Sequence, residues 1–421
     1  MILSLTVFVW LSTLLGVLRG QELRAPNIRR TREIDIMGKW LDRLQADPTT
    51  WLLERACAPI QFRLLTEILG RSMDDADVLA ARDGCYNFKP ALTIAGAQNQ
   101  EGLWFDSFDH FETMNLNRKR GPATLHQLHA LLEYGWGKDH PIVWRTSELL
   151  QALLWEDPSV DLRELKGYCG ADPAPELYFR KHLSWRAFAL LLRGGFADDA
   201  GVRHKAAERL AELSEHYGGK GVDGVRSVVE KGEHTRMIEV DGEEVPEICS
   251  VVNSEVPLPD YSTLLFLAYD TESLADPRGA ALAKDLVGYL MDRPVPVAQV
   301  VKVADKVLDR PVDFLLRSFD REACGEQKLL GRLLFDLELM ARLGVLPQFP
   351  EAVSQLEWLI DSADDDGVIR DDSMIDKTVN RIDYPYYPLE ENWRGKHKKY
   401  TDVTFRLLLI LRLLDDAQDG E

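Results

Sequence analysis

The sequence predicts an all-α protein built from helical hairpins, with one small β insertion. Three observations lead there. Apolar residues recur at helical spacing through long segments. Gly and Pro stand where helices should stop and start. Strands do not alternate with helices, which disfavours a parallel sheet. The chain has 421 residues, 45% of them hydrophobic and 28% charged. That composition excludes disorder, collagen and a small disulfide scaffold, and it leaves ample length for a core. Fifty Lys+Arg against 69 Asp+Glu give a net charge of −19. Phosphate binding needs a basic face, so no nucleic-acid partner is expected. The five cysteines, Cys57, Cys85, Cys169, Cys249 and Cys324, are odd in number and widely spaced, unlike a disulfide framework.

In chain order, residues 2–18 carry no charged side chain. Residues 1–20 therefore read as a signal peptide or an N-terminal membrane anchor. Basic residues follow at Arg19, Arg24, Arg29, Arg30 and Arg32. They favour an uncleaved anchor with its C-terminal side in the cytoplasm, and possible membrane contact through residues 2–18. A misassigned start would instead make the protein cytoplasmic. One helical domain is expected over 33–416. Clear helical periodicity covers 124–134, 141–155, 178–192, 202–217, 329–343, 352–360 and 401–414. Gly135, Gly194, Gly218 and Gly344 stand as C-terminal caps. Residues 235–248 alternate polar and apolar around Asp241-Gly242, which predicts a β-hairpin.

Two segments share a pattern. Residues 89–104, KPALTIAGAQNQEGLW, hold Gln98, Gly102 and Trp104. Residues 354–369, SQLEWLIDSADDDGVI, hold Ala363, Gly367 and Ile369 at the same offsets. The physical reading is a helix C-terminus closed by a tight polar turn, with Gly supplying the permissive backbone. The next apolar side chain then packs over the turn. This pattern resembles the Gln–Trp repeat of the terpenoid cyclase and protein prenyltransferase β-subunit superfamily. The first copy matches the Gln-x-x-x-Gly-x-Trp core; the second keeps Gly and the Trp358-Leu359 pair but lacks Gln and Trp. The resemblance implies an α/α toroid, a ring of inner and outer helices around a central cavity.

If the copies are equivalent, the loops after them, 105–122 and 370–399, share one face of the ring. Candidate catalytic residues are Asp106, His110, His126, His129, Asp371 and Asp372. His126 and His129 share a helix face, as an acid/base or metal pair would. Candidate ligand-binding residues are the aromatics Trp104, Phe108, Tyr386, Tyr387, Trp393 and Tyr400.

The resemblance also implies possible metals. Asp83-Gly84-Cys85-Tyr86 is similar to the prenyltransferase Asp-x-Cys zinc motif, although it precedes the first repeat. Its third ligand would be His110, His126, His129 or His140. Asp361, Asp364, Asp365, Asp366, Asp371 and Asp372 are oxygen donors suited to Mg²⁺. The Asp-x-Asp-Asp acid of the cyclases is absent, because Ala363 precedes Asp364. Three functions are therefore expected as alternatives. The protein transforms or binds an isoprenoid or other lipid-like ligand; it cleaves sugar chains as a polysaccharide lyase or glycosidase on an (α/α) barrel; or it binds a small molecule without catalysis.

Overall fold

The N-terminal ends of the helices show how the acidity of the chain is used. Asp75, Asp199, Asp260, Asp270 and Asp276 each accept a backbone N–H of the helix that they precede. An anionic cap satisfies an orphan donor and meets the positive end of the helix dipole. Pro59, Pro90, Pro141, Pro277 and Pro350 stand in first turns, where no N–H is needed. Gly135 and Gly344 close their helices in left-handed geometry. At the other two expected caps the left-handed residue is the next one, Gly195 or Gly219.

The computed structural model describes residues 42–109, 123–157, 159–162, 174–229, 235–240, 243–251, 259–292, 299–303, 306–308, 330–372, 374–375 and 387–419. All belong to the unit Trp40–Glu421. Residues 1–20, His110, Tyr386 and the Asp241-Gly242 turn lie outside them. Among the described residues no helix is long and apolar enough to cross a membrane.

The protein is mostly helical. Helices α1 (Thr49–Arg55), α2 (Ala58–Arg63, continued by a π turn Leu64–Ile68), α3 (Ala76–Tyr86) and α4 (Lys89–Gly96) open the unit. Then come α5 (Thr124–Glu133), α6 (Pro141–Leu154), α7 (Ala174–Leu191, continued by a π turn Leu192–Phe196), α8 (Ala200–Tyr217) and α9 (Gly221–Val229). Strands β1 (Thr235–Val240) and β2 (Glu243–Val251) precede α10 (Tyr261–Tyr269), α11 (Thr271–Ala275) and α12 (Pro277–Met291). Strands β3 (Gln299–Val303) and β4 (Lys306–Leu308) lead to α13 (Leu330–Arg342), α14 (Pro350–Asp361) and α15 (Lys398–Asp419). The strands form one sheet in the order β1-β2-β3-β4. β1 pairs antiparallel with β2 from Thr235↔Ile248 to Val240↔Glu243, and β2 pairs parallel with β3. A parallel pair needs a long crossover, here the helices α10–α12. The sequence pattern gave no sign of β3 and β4.

Five helices stack as successive neighbours. α5 packs on α7, α7 on α10, α10 on α13 and α13 on α15. α15 also packs on α1, on α2 and on its π turn. α10 is buried nearly all round, from Tyr261 to Ala268. Its sequence, YSTLLFLAY, therefore shows no helical period.

The two repeat copies adopt the same turn. Asn99 N donates to Leu103 O (2.9 Å), as Asp364 N does to Val368 O (3.0 Å). Leu103 N donates to Asn99 Oδ1 (2.9 Å), as Val368 N does to Asp364 Oδ1 (3.1 Å). Gly102 and Gly367 have φ of 88° and 75°. Trp104 N donates to Thr124 Oγ1 of α5 (2.9 Å), and Ile369 N to Thr404 Oγ1 of α15 (3.1 Å). Both apolar residues are fully buried. In the first copy Gln98 ties the turn to α6, donating to Thr146 Oγ1 (2.8 Å) and Ile142 O (3.1 Å). Ala363 provides no such tie in the second.

The second turn is closed off from behind, because a Cβ on Gly367 would overlap the Ala46 carbonyl oxygen. Gly367→Ala should lower stability by about 1–3 kcal/mol in a urea melt, from left-handed strain plus that overlap. Gly344→Ala meets open space and should cost only the strain, about 1 kcal/mol.

Candidate functional site

Two sets of buried ionisable side chains lie between these helices. The first sits toward the C-terminal ends of α2, α5, α7, α10 and α13. Glu133 Oε2 is 2.7 Å from Arg63 Nη1 and 2.6 Å from Arg406 Nη2. Its Oε1 pairs with Arg193. Glu338 holds Arg406 (2.7 Å) and Arg342 (2.9 Å). Glu67 holds Arg63 and, at 2.8 Å, Arg342. Arg193 also donates to the Tyr269 hydroxyl. Burial alone would raise the Glu133 carboxyl, but Arg193, Arg63 and Arg406 together hold it well below the usual range. Glu338 is lowered in the same way, against burial, by Arg406, Arg342 and Arg63. Both carboxyls are therefore charged at neutral pH. The network joins α2, near the start of the unit, to α15 at its end.

The second set draws on the starts of α5 and α10, the first half of α13 and the middle of α7. Asp109, 1% exposed, pairs with Arg186 of α7 and lies 3.5 Å from His126 Nδ1 of α5. The Ser107 hydroxyl donates to the Asp109 carbonyl (2.8 Å) and fixes that loop. His182 Nδ1, one turn before Arg186, is 3.2 Å from Asp260 Oδ2. Asp260 is at the same time the cap of α10, bound by Ser262 N and Thr263 N. The Tyr261 hydroxyl donates to Asp336 of α13, and Arg332 lies 4.3 Å over the Tyr261 ring.

His129 sits beside the first set. Its Nε2 is 3.7 Å from Glu133, and its ring centroid is 4.9 Å from that of Tyr387. Burial lowers its pKa, outweighing the Glu133 carboxylate that would raise it. A neutral imidazole at physiological pH can accept a proton.

The sequence-predicted residues divide accordingly. His126 stands in the second set and His129 beside the first, with Tyr387 next to it. Trp104 and Phe108 are buried core side chains; Trp104 Nε1 donates to Ile94 O (2.6 Å). Asp106 is an exposed turn residue that accepts from Asn99 Nδ2 (2.8 Å). Asp371 and Asp372 are exposed, and Asp372 binds Lys399 and the Tyr400 hydroxyl in a surface tie. Trp393 donates to Asp402 (3.1 Å) and is buried.

The zinc pair does not share a site. Asp83 is exposed, whereas Cys85, two residues on along α3, faces the core, where burial pushes its thiol up to about 12. Asp364 and Asp366 hold Arg370 within their own turn. Among the described residues no three His, Cys, Asp or Glu side chains are grouped to hold a metal ion.

His182, Arg186, Asp260, Tyr261, Arg332 and Asp336 were not picked out from the sequence. The available signal was weak: His182 and Arg186 lie four apart on one helix, but Arg180, Lys181 and Ser184 interrupt the same stretch. Comparison with protein-family models, with curated proteins and with solved structures gave no match.

Proposed function

We propose that the chain is an (α/α) ring protein that binds and cleaves a sugar chain at the buried acid–base pairs between its inner helices. The ring reading is supported by the succession of neighbours from α5 to α15, by α15 packing on α2, and by the Arg63–Glu133 pair between α2 and α5. The matched repeat turns support it independently.

One observation carries the sugar reading. The buried rows of these helices hold paired acids and bases, Asp109 with His126 and Asp260 with His182, among their aromatic rings. Such pairs can give and take protons at a glycosidic oxygen or at the carbon beside a uronate carboxyl. Arg186 and Arg332 stand beside these pairs, each held by a carboxylate, Asp109 and Asp336. Lipid-like and non-catalytic ligand binding keep less support, because a charged interior is costly to leave against an apolar guest.

The test is a panel of soluble neutral and uronic-acid polysaccharides, assayed for new reducing ends. Wild-type protein should cut at least one polymer. His182→Ala and His126→Ala should each slow that cut by about 10²–10⁴. No cut by the wild type on any polymer would sink the catalytic reading.

A further inference from the structure

A short segment, residues 387–397, lies across the start of α15 and reaches the candidate site through Tyr387. Its ties converge on few groups. Leu389 N and Trp393 Nε1 both donate to Asp402 Oδ2, at 3.0 and 3.1 Å. Glu390 Oε1 accepts from Cys57 N (3.0 Å) and Thr401 Oγ1 (2.8 Å). The Tyr387 carbonyl accepts from Arg406 (3.2 Å), and its ring lies against His129. Asp402 is fully buried, and its second oxygen, Oδ1, meets no donor among the described residues. A carboxyl with one oxygen doubly engaged and the other idle, out of reach of water, is suited to carry a proton there.

We propose that residues 387–397 form a strap latched to α15 by the buried Asp402 carboxyl, closed when that group is protonated and loosened when it is ionised. The functional consequence, gating of Tyr387 over His129, rests on the candidate site described above; the latch itself does not. The groups facing Asp402 are Glu390 of the strap, Arg406 one turn along α15, Cys57 at the start of α2 and Tyr134 at the end of α5. Lys398 lies 3.5 Å from Glu390 Oε2. Burial raises the Asp402 carboxyl to about 6, with Arg406 and the Trp393 bond opposing and Glu390 assisting.

Lifting the strap would hydrate Asp402 and return it to an ordinary value near 3.9. The closed form then binds the proton more tightly than the open form. Closure is therefore fully favoured below about 4, weakens through the interval up to about 6, and is weakest above it. The opening equilibrium should change on the order of a hundredfold across that window.

Hydrogen–deuterium exchange of the full chain tests this without any ligand, on peptides covering 387–397 and corrected for intrinsic chemical exchange. The expected result is strong protection at about pH 4.5, lost progressively by pH 7. Asp402→Asn should hold the strap closed at both, since an amide carbonyl still accepts from Leu389 and Trp393. Equal wild-type protection at the two pH values overturns the proposal whatever the variant does, and so does a pH dependence that persists in Asp402→Asn. If the strap responds as expected and no polysaccharide binds, the sugar reading fails and the latch stands.

Discussion

Glu133→Gln should cost on the order of 3–5 kcal/mol, the largest loss expected from any single polar substitution in this chain. Glu133 is 4% exposed and is the shared counter-charge of Arg63, Arg193 and Arg406. The amide keeps the shape but leaves three guanidinium groups with one negative charge fewer in a dry interior. Desolvation already spent on those groups is then uncompensated. The measurement is a urea midpoint at unchanged slope. Glu67 offers the contrast. Its side chain is 30% exposed, so water replaces part of what Glu67→Gln removes, and the loss should be about 1 kcal/mol. A Glu133→Gln protein as stable as wild type would mean that the ion network does not bind α2, α5 and α15 together.

Trp104→Ala should cost about 3–5 kcal/mol, from the lost burial and the cavity left behind. The Ile94 carbonyl also loses its donor, which adds to that cost. Trp104→Phe should recover most of the volume and lose only the hydrogen bond, about 1 kcal/mol. Ile369→Ala, the equivalent change in the second turn, should cost about 2–5 kcal/mol. These changes separate a packing role from a ligand-binding one. Trp104→Phe should leave ligand affinity untouched, whereas a residue that stacks on the ligand would show its effect there first.

Much of the helical frame was legible in the residues, for physical reasons that differ by element. The helices α6, α8 and α14 each keep one exposed polar face, so their period is visible. α10 is buried nearly all round and shows none. The turn after α4 and its partner after α14 were legible because only Gly tolerates that backbone there, while Asn99 and Asp364 perform the same capping bond with different side chains. Strands β3 and β4 were not, since a three- to five-residue strand paired across a helical crossover leaves no local period.

The candidate site was legible in part. His126 and His129 stood out as a helical pair, and Tyr387 as one of several loop aromatics. The other pairs of the site were hidden because they join distant segments. Asp109 meets Arg186 across 77 residues, and Tyr261 meets Asp336 across 75. The aromatic and acidic clusters that seemed rich in sequence turned out to serve locally. Trp104 seals a turn, Asp372 ties a surface tyrosine, and Asp364 caps its own loop. Composition identifies such residues; only tertiary pairing separates the ones that face a shared interior.

The central claim is that this interior accepts a polar, hydroxyl-rich chain rather than an apolar one. Native mass spectrometry of the purified protein, offered mixed neutral and uronic-acid oligosaccharides together with farnesol, tests it most directly. The account predicts a stoichiometric oligosaccharide adduct that disappears in His182→Ala. A farnesol adduct with no oligosaccharide bound would contradict it.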